Sequence, residues 1–450
     1  MDGCDELDSL ARFHTRSCHS HGQHYRGGAS RKKATPLRLG SFAPRVRAEQ
    51  RAETKMSPSP SSSSSSSIIL TALAVVTLTT LFFFSSPASA AGPQPRPFKK
   101  IYAFGDSFTD TGNTRSASGP SGFGHVSNPP YGVTFFHRPT NRYSDGRLVI
   151  DFVAQSLSLP FLPPYRSISS SSSSSSSTAA YGVNFAVAGS TAINHEFFVR
   201  NNMSLDITPQ SILTQLIWFN KYLESHEGCK AATRGGACRD SLEDALVWVG
   251  EIGVNDYAYT VGSAVSGDTI RKLAINTVAA FLESLLRRGV KYMVVQGLPV
   301  SGCLPLAMYL SPEDDRDDIG CVKSVNDQTR AHNAALLAKI SDLRKRFPDS
   351  MILYADYWNA YHSVMKNPAK YSFKEPFKAC CGAGEPYHFS PIATCGTPTA
   401  DLCPRPSEYV NWDGVHLTEA MYKVIADMFL KGRFSHPPFS YLLSKKRRGG

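Results

Sequence analysis

The 450-residue chain is 42% hydrophobic and carries a formal net charge of +11 at pH 7. That length can bury a large core, and the charge raises nucleic acid or anionic membrane as partners. The placement of the charge argues against both: residues 1–55 hold eleven Lys or Arg against six Asp or Glu, and Lys445, Lys446, Arg447 and Arg448 follow at the other end. The two ends thus supply nine of the eleven net charges, and no basic face is left on the folded part for a nucleic acid.

Residues 1–55 show no sustained apolar period and read as a disordered leader or a mis-assigned upstream segment, with Met56 as the expected start. Ile68 to Phe84 is apolar, and Ser85-Ser86-Pro87-Ala88-Ser89-Ala90 follows with small residues at the A-x-A positions. Residues 56–90 therefore read as a signal peptide with a Ser-rich n-region, cleaved near Ala91 into the secretory pathway. The alternative is an uncleaved anchor, since seventeen residues lie at the lower limit of a bilayer span.

Beyond the signal, short β-like runs alternate with longer helical ones. That order predicts one α/β domain over residues 91–435, a three-layer α/β/α fold with a mostly parallel sheet of about five strands. Strands are expected at Ile101–Phe104, Tyr181–Ala186, Ala245–Val249, Tyr292–Val295 and Met351–Tyr354. Helices are expected at Leu148–Leu157, Pro209–Leu223 opened by Thr208, Thr269–Arg288 ended by Gly289, and Lys323–Phe347 stopped by Pro348; Thr418 caps a closing helix through Leu430. The nine serines 169–177 form a surface loop, and residues 436–450 a basic tail.

Eight cysteines fall in the domain, and an oxidising compartment should pair them. Proximity favours Cys229 with Cys238 and Cys303 with Cys321. It leaves Cys380, Cys381, Cys395 and Cys403 open, with a zinc site as their rival to disulfides. Asn202-Met203-Ser204 is the only N-x-S/T sequon, so Asn202 is the expected glycan site.

Phe104-Gly105-Asp106-Ser107 follows the first expected strand, which places Ser107 at the carboxyl end of the sheet. A serine hydroxyl attacks only when a base removes its proton. Asn411-Trp412-Asp413-Gly414-Val415-His416 offers one, with a carboxylate three residues before a histidine. In that arrangement Asp413 fixes the tautomer of His416 and stabilises its imidazolium. The G-x-S-x-G elbow is absent, which counts against a standard α/β-hydrolase.

The Ser107 block, Asn184-Phe185-Ala186-Val187-Ala188-Gly189-Ser190, Gly250-Glu251-Ile252-Gly253-Val254-Asn255-Asp256-Tyr257 and the Asp413/His416 block come in a fixed order. Together they resemble the plant GDSL esterase/lipases of the SGNH hydrolase superfamily, over roughly residues 97–433. The resemblance implies a carboxylic ester hydrolase that works through an acyl-enzyme without metal or organic cofactor. It implies Ser107 as nucleophile, His416 as base and Asp413 as its orienting acid. It also implies an oxyanion hole from the Ser107 and Gly189 backbone amides and the Asn255 side chain. The implied substrate is a small-molecule or polysaccharide ester, of short acyl chain. An acyltransferase with the same triad, or an inactive secreted binding protein, are the other readings.

Overall fold

The structure is a computed structural model and describes residues 96–114, 123–169, 177–203, 208–229 and 241–448. The expected leader, the signal or anchor at 56–90, Cys238 and nearly all of the serine run lie outside the described residues.

Five parallel strands carry the fold: β1 (Lys100–Phe104), β2 (Gly182–Asn184), β3 (Ala245–Val249), β4 (Tyr292–Gln296) and β5 (Met351–Ala355). A sixth, β6 (Ser435–His436), pairs antiparallel with β5 at the edge, giving the order β6-β5-β4-β3-β1-β2. The expected five-strand sheet thus gains an edge strand.

Alternation along the strands divides the core in two, because successive side chains leave a strand on opposite faces. Tyr102, Phe104, Val247, Val249 and Val295 face one layer, with helices α2 (Ile212–His226), α3 (Gly267–Arg287) and α4 (Lys323–Arg346) delivering Phe219, Phe281 and Leu336. Ile101, Ala103, Leu246, Trp248 and Val294 face the other. There α1 (Val149–Ser156), α5 (Tyr357–Lys366), α6 (Glu419–Leu430) and α7 (Phe439–Arg447) supply Val153, Tyr361, Ile425 and Leu442. The result is the three-layer α/β/α arrangement.

Two local expectations are corrected. Residues 436–450 are not a free basic tail: α7 buries Phe439 and Leu442, and Lys446 Nζ donates to Asp244 Oδ1 at 2.7 Å. α2 is capped by Ser211 and not by Thr208, whose hydroxyl instead donates to the Ala188 carbonyl at 2.9 Å.

β1 is where the sheet order reverses, since the chain passes first to β2 on one side and then to β3 on the other. In parallel α/β sheets the crevice at the carboxyl ends of strands beside such a point is where ligands bind. The segments that leave β1, β2 and β3 there begin at Gly105, Phe185 and Gly250, the first three of the four sequence blocks.

Candidate active site

Three loops meet at this edge because buried side chains tie them together. Gly105 has φ 137° and a Cβ there would come within 3.2 Å of Gly250 Cα, so the close approach of the first and third loops requires glycine. Gln215 bonds both the N–H and the carbonyl of Gly105, at 3.0 and 2.7 Å. Asp110 accepts from the Gly112 and Asn113 amides at 2.7 Å and from Ala188 N at 3.0 Å, which joins the first loop to the second. Asp256 accepts from Ala192 N and Ile193 N at 2.8 Å, which joins the second to the third. Asp110 and Asp256 lie inside the sequence blocks, yet only the structure gives them these roles.

Ser107 stands in the turn after β1, 5% exposed. Among the described residues neither its hydroxyl nor its backbone N–H has a hydrogen-bond partner, and the Gly189 N–H has none either. Gly189, at φ 75°, is held by its carbonyl, which accepts from Tyr259 Oη at 2.9 Å. Two backbone donors, one of them on the residue that bears the hydroxyl, are thus left unspent among the described residues, and donors of that kind can serve a developing oxyanion.

Asn255 is differently placed. Its Nδ2 donates to Asp106 Oδ2 at 2.9 Å and to the Ser190 carbonyl at 3.0 Å, so both amide hydrogens are engaged. Two acceptors around one atom also fix which end of the amide is nitrogen. Asp106 completes the link by accepting from Phe108 N at 3.0 Å through Oδ1, which ties Asn255 to the turn that carries Ser107.

Beside Asp106 lies the carboxyl of Glu251, fully buried. Burial and the neighbouring Asp106 charge push Glu251 well above the ordinary carboxylate range, and burial raises Asp106 to about 6. Two adjacent buried carboxyls cannot both ionise cheaply, so Glu251 holds a proton and Asp106 carries the charge that Asn255 satisfies.

Asp413 and His416 lie on a tight loop between a short strand (Tyr409–Asn411) and α6, closed by Trp412 N donating to the His416 carbonyl at 2.7 Å. Asp413 Oδ1 accepts from Val415 N at 3.0 Å and His416 N at 2.8 Å, while His416 Nδ1 lies 2.9 and 2.8 Å from Oδ1 and Oδ2. An ionised carboxylate only accepts, so Nδ1 carries a proton, and in the neutral imidazole Nε2 is then the acceptor. Burial acts to raise the Asp413 pKa, but the His416 charge and the hydrogen bonds, one of them from Tyr131, outweigh it and hold the group at about 2.

The His416 ring lies between Phe108, at 5.4 Å between centroids, and Tyr143, at 4.5 Å. Phe108 is the residue after Ser107, so this packing sets His416 against the turn that carries Ser107. His416 Nε2 is buried and without a hydrogen-bond partner among the described residues, and it makes no bond to Ser107 Oγ. Such contacts are often long without substrate and tighten when it binds.

The disulfides support this loop from outside. Cys380 pairs with Cys403 and Cys381 with Cys395, so these four sulfurs are not free for zinc, and Cys303 pairs with Cys321 as proximity suggested. Cys380 N and Cys381 N donate to the Asn411 and Trp412 carbonyls at 3.0 and 2.7 Å, directly before Asp413. Asn202, the sequon residue, is exposed at φ 54°.

A mostly parallel sheet between two helical layers, with a serine, a carboxylate-bound histidine and unspent amides in the loops around its switch point, has the build of an α/β/α hydrolase. A model of the family described as GDSL-like lipase/acylhydrolase matches residues 101–429. The Arabidopsis thaliana protein named GDSL esterase/lipase At3g48460 is 63% identical over 352 residues, 78% of this chain and 90% of its own. Another, GDSL esterase/lipase At1g28580, is 38% identical over 354 residues, 77% and 88% of the two chains. This chain belongs to the GDSL-like lipase/acylhydrolase family, and as a member it is a carboxylic ester hydrolase. A solved α/β hydrolase from the metagenome of Lake Arreo, Spain, aligns over 74% of this chain and 94% of its own at 13% identity and TM-score 0.33, too slight a likeness for any argument to rest on it.

Proposed function

We propose that the protein is a secreted serine esterase that hydrolyses short-acyl carboxylic esters through an acyl-enzyme. Ser107 Oγ attacks the ester carbonyl as its proton passes to His416 Nε2. His416 then returns that proton to the departing alkoxide, releasing the alcohol. Water, deprotonated by the same nitrogen, attacks the acyl-serine; the bond from the acyl carbon to Oγ breaks, the proton passes from His416 back to Ser107 Oγ, and the acid leaves. Asp413 holds the Nδ1 tautomer and stabilises the imidazolium. The tetrahedral oxyanion lies against the Ser107 and Gly189 amides, with Asn255 turning one of its two hydrogens toward it while Asp106 keeps hold of the other.

The observation that carries this reading is the buried, unpartnered Nε2 of His416, on a ring tied to Asp413 and packed on Phe108, the residue after Ser107. Secretion follows from the signal reading of residues 56–90, and the paired cysteines and the exposed Asn202 of the sequon agree with that route.

The test is a panel of acyl esters, from acetyl to long chain and including acetylated xylan, assayed on wild type and Ser107→Ala with and without an acceptor alcohol. Fast release of acetate by wild type, none by the variant and no acyl transfer is the expected result. Activity surviving in Ser107→Ala would remove the mechanism, and acylated alcohol as the main product would favour a transferase.

A further inference from the structure

The sequence blocks account for the serine, the histidine and the aspartate, but one more side chain reaches the chain of polar atoms between them. Tyr131 Oη donates to Asp413 Oδ2 at 2.7 Å, the same oxygen that lies 2.8 Å from His416 Nδ1. We infer that Tyr131 is a positioning residue of the reaction, a further member of the Ser107–His416–Asp413 series, whose hydroxyl helps hold the Asp413 carboxylate against His416 Nδ1 and so orients the imidazole. The inference rests on the triad reading above.

Three features separate this contact from an incidental one. Asp413 Oδ1 is held by two backbone amides of its own loop, but Oδ2 has only the histidine and Tyr131. Without the hydroxyl Oδ2 keeps His416 as its one hydrogen-bond partner among the described residues. Tyr131 cannot readily be elsewhere: it is 5% exposed, edge-on to Trp412 at 5.9 Å and to Tyr143 at 6.2 Å. Its backbone is pinned too, by Tyr131 N to the Asn128 carbonyl at 3.2 Å and Gly132 N to the Ser144 carbonyl at 3.0 Å. Burial, and then the Asp413 charge, raise the phenol well above its ordinary range, so it remains a donor. The packing cluster around it contains Cys380, Cys381, Cys395 and Cys403, so the disulfide-bonded segment holds the tyrosine as well as the loop.

A hydrogen bond to a carboxylate draws charge away from that carboxylate's other partner, because bonds in such a series polarise one another. Tyr131→Phe keeps the ring and its packing and removes only the donor. The proton on His416 Nδ1, between nitrogen and carboxylate and shielded by burial, should give a far-downfield proton resonance, assigned by its loss in His416→Ala. In Tyr131→Phe the full charge of Oδ2 falls on that proton, so the resonance moves further downfield. The Asp413–His416 bond is then stronger, but the pair has lost the anchor that sets its direction, so kcat falls about tenfold, the worth of one hydrogen bond to a charged group, with KM within about twofold.

A purely structural tyrosine would change the melting temperature and leave both readouts alone. Either of them staying at the wild-type value overturns the inference. The failure of the triad reading is separately visible, as full activity in His416→Ala, because the resonance reports the Tyr131–Asp413–His416 series whether or not the protein turns over esters.

Discussion

Asn255→Ala is the substitution for which the structure makes the least obvious forecast. The side chain is far in sequence from serine and histidine, and both its hydrogens are engaged by Asp106 and Ser190. Truncation removes two bonds, one to a carboxylate. Because Asn255 is half-buried and water can partly replace it, folding should lose about 1–3 kcal/mol. If the amide turns one hydrogen to the oxyanion, the barrier should rise by a further ~3–4 kcal/mol, a fall in kcat of about 10² to 10³. KM should stay within about twofold, since the ground-state carbonyl carries little charge. Initial rates on an acetyl ester and a thermal melt, on one preparation, measure both. A lowered melting point with kcat within about threefold of wild type would refute the oxyanion role and leave Asn255 as a brace for Asp106.

Two further outcomes follow from the charges. Asp413→Asn should lower kcat by about 10² to 10⁴, because an amide can present an N–H to His416 and favour the wrong tautomer; a loss under about fivefold in steady-state assays would contradict that. Stability should peak at mildly acidic pH. Burial raises Glu251, Asp106 to about 6 and Asp256 to about 7, so their stabilising share is fully present below the ordinary carboxylate range and is lost as pH rises through those values. Asp413, held at about 2, acts in the opposite sense, and its share is lost as pH falls from about 4 toward 2. Melting temperatures should therefore be higher at pH 5 than at pH 8 and fall again below pH 3, and a rise from pH 5 to pH 8 would contradict the assignment.

The candidate site was legible in the sequence where a chain turn carries an unusual residue. Ser107 after a buried strand, Gly189 at positive φ and the Asp413/His416 spacing all show as short blocks, and the five main strands show as apolar runs between turns. What was not legible depends on contacts between distant segments. Tyr131 lies in a Pro- and Gly-bounded loop with no motif of its own, and its partner is 282 residues away. Helix α7 hides because four consecutive basic residues mask a face with only two buried anchors, Phe439 and Leu442. β6 has two residues, too few for any period. Thr208 had the right chemistry for a cap, but its hydroxyl bonds the second loop, and Ser211 takes the cap position. The pairing of the last four cysteines likewise depends on how residues 380–403 fold back, which spacing alone leaves open.

The central claim is that the Ser107 hydroxyl becomes a nucleophile through His416. A fluorophosphonate reports both halves, since it traps the serine covalently and only when the base is in place. Intact-mass analysis and peptide mapping should find one adduct per chain, on Ser107, forming at a rate that tracks the loss of esterase activity and absent from His416→Ala. An adduct on another residue, or full inhibition with Ser107 unmodified, would contradict the account.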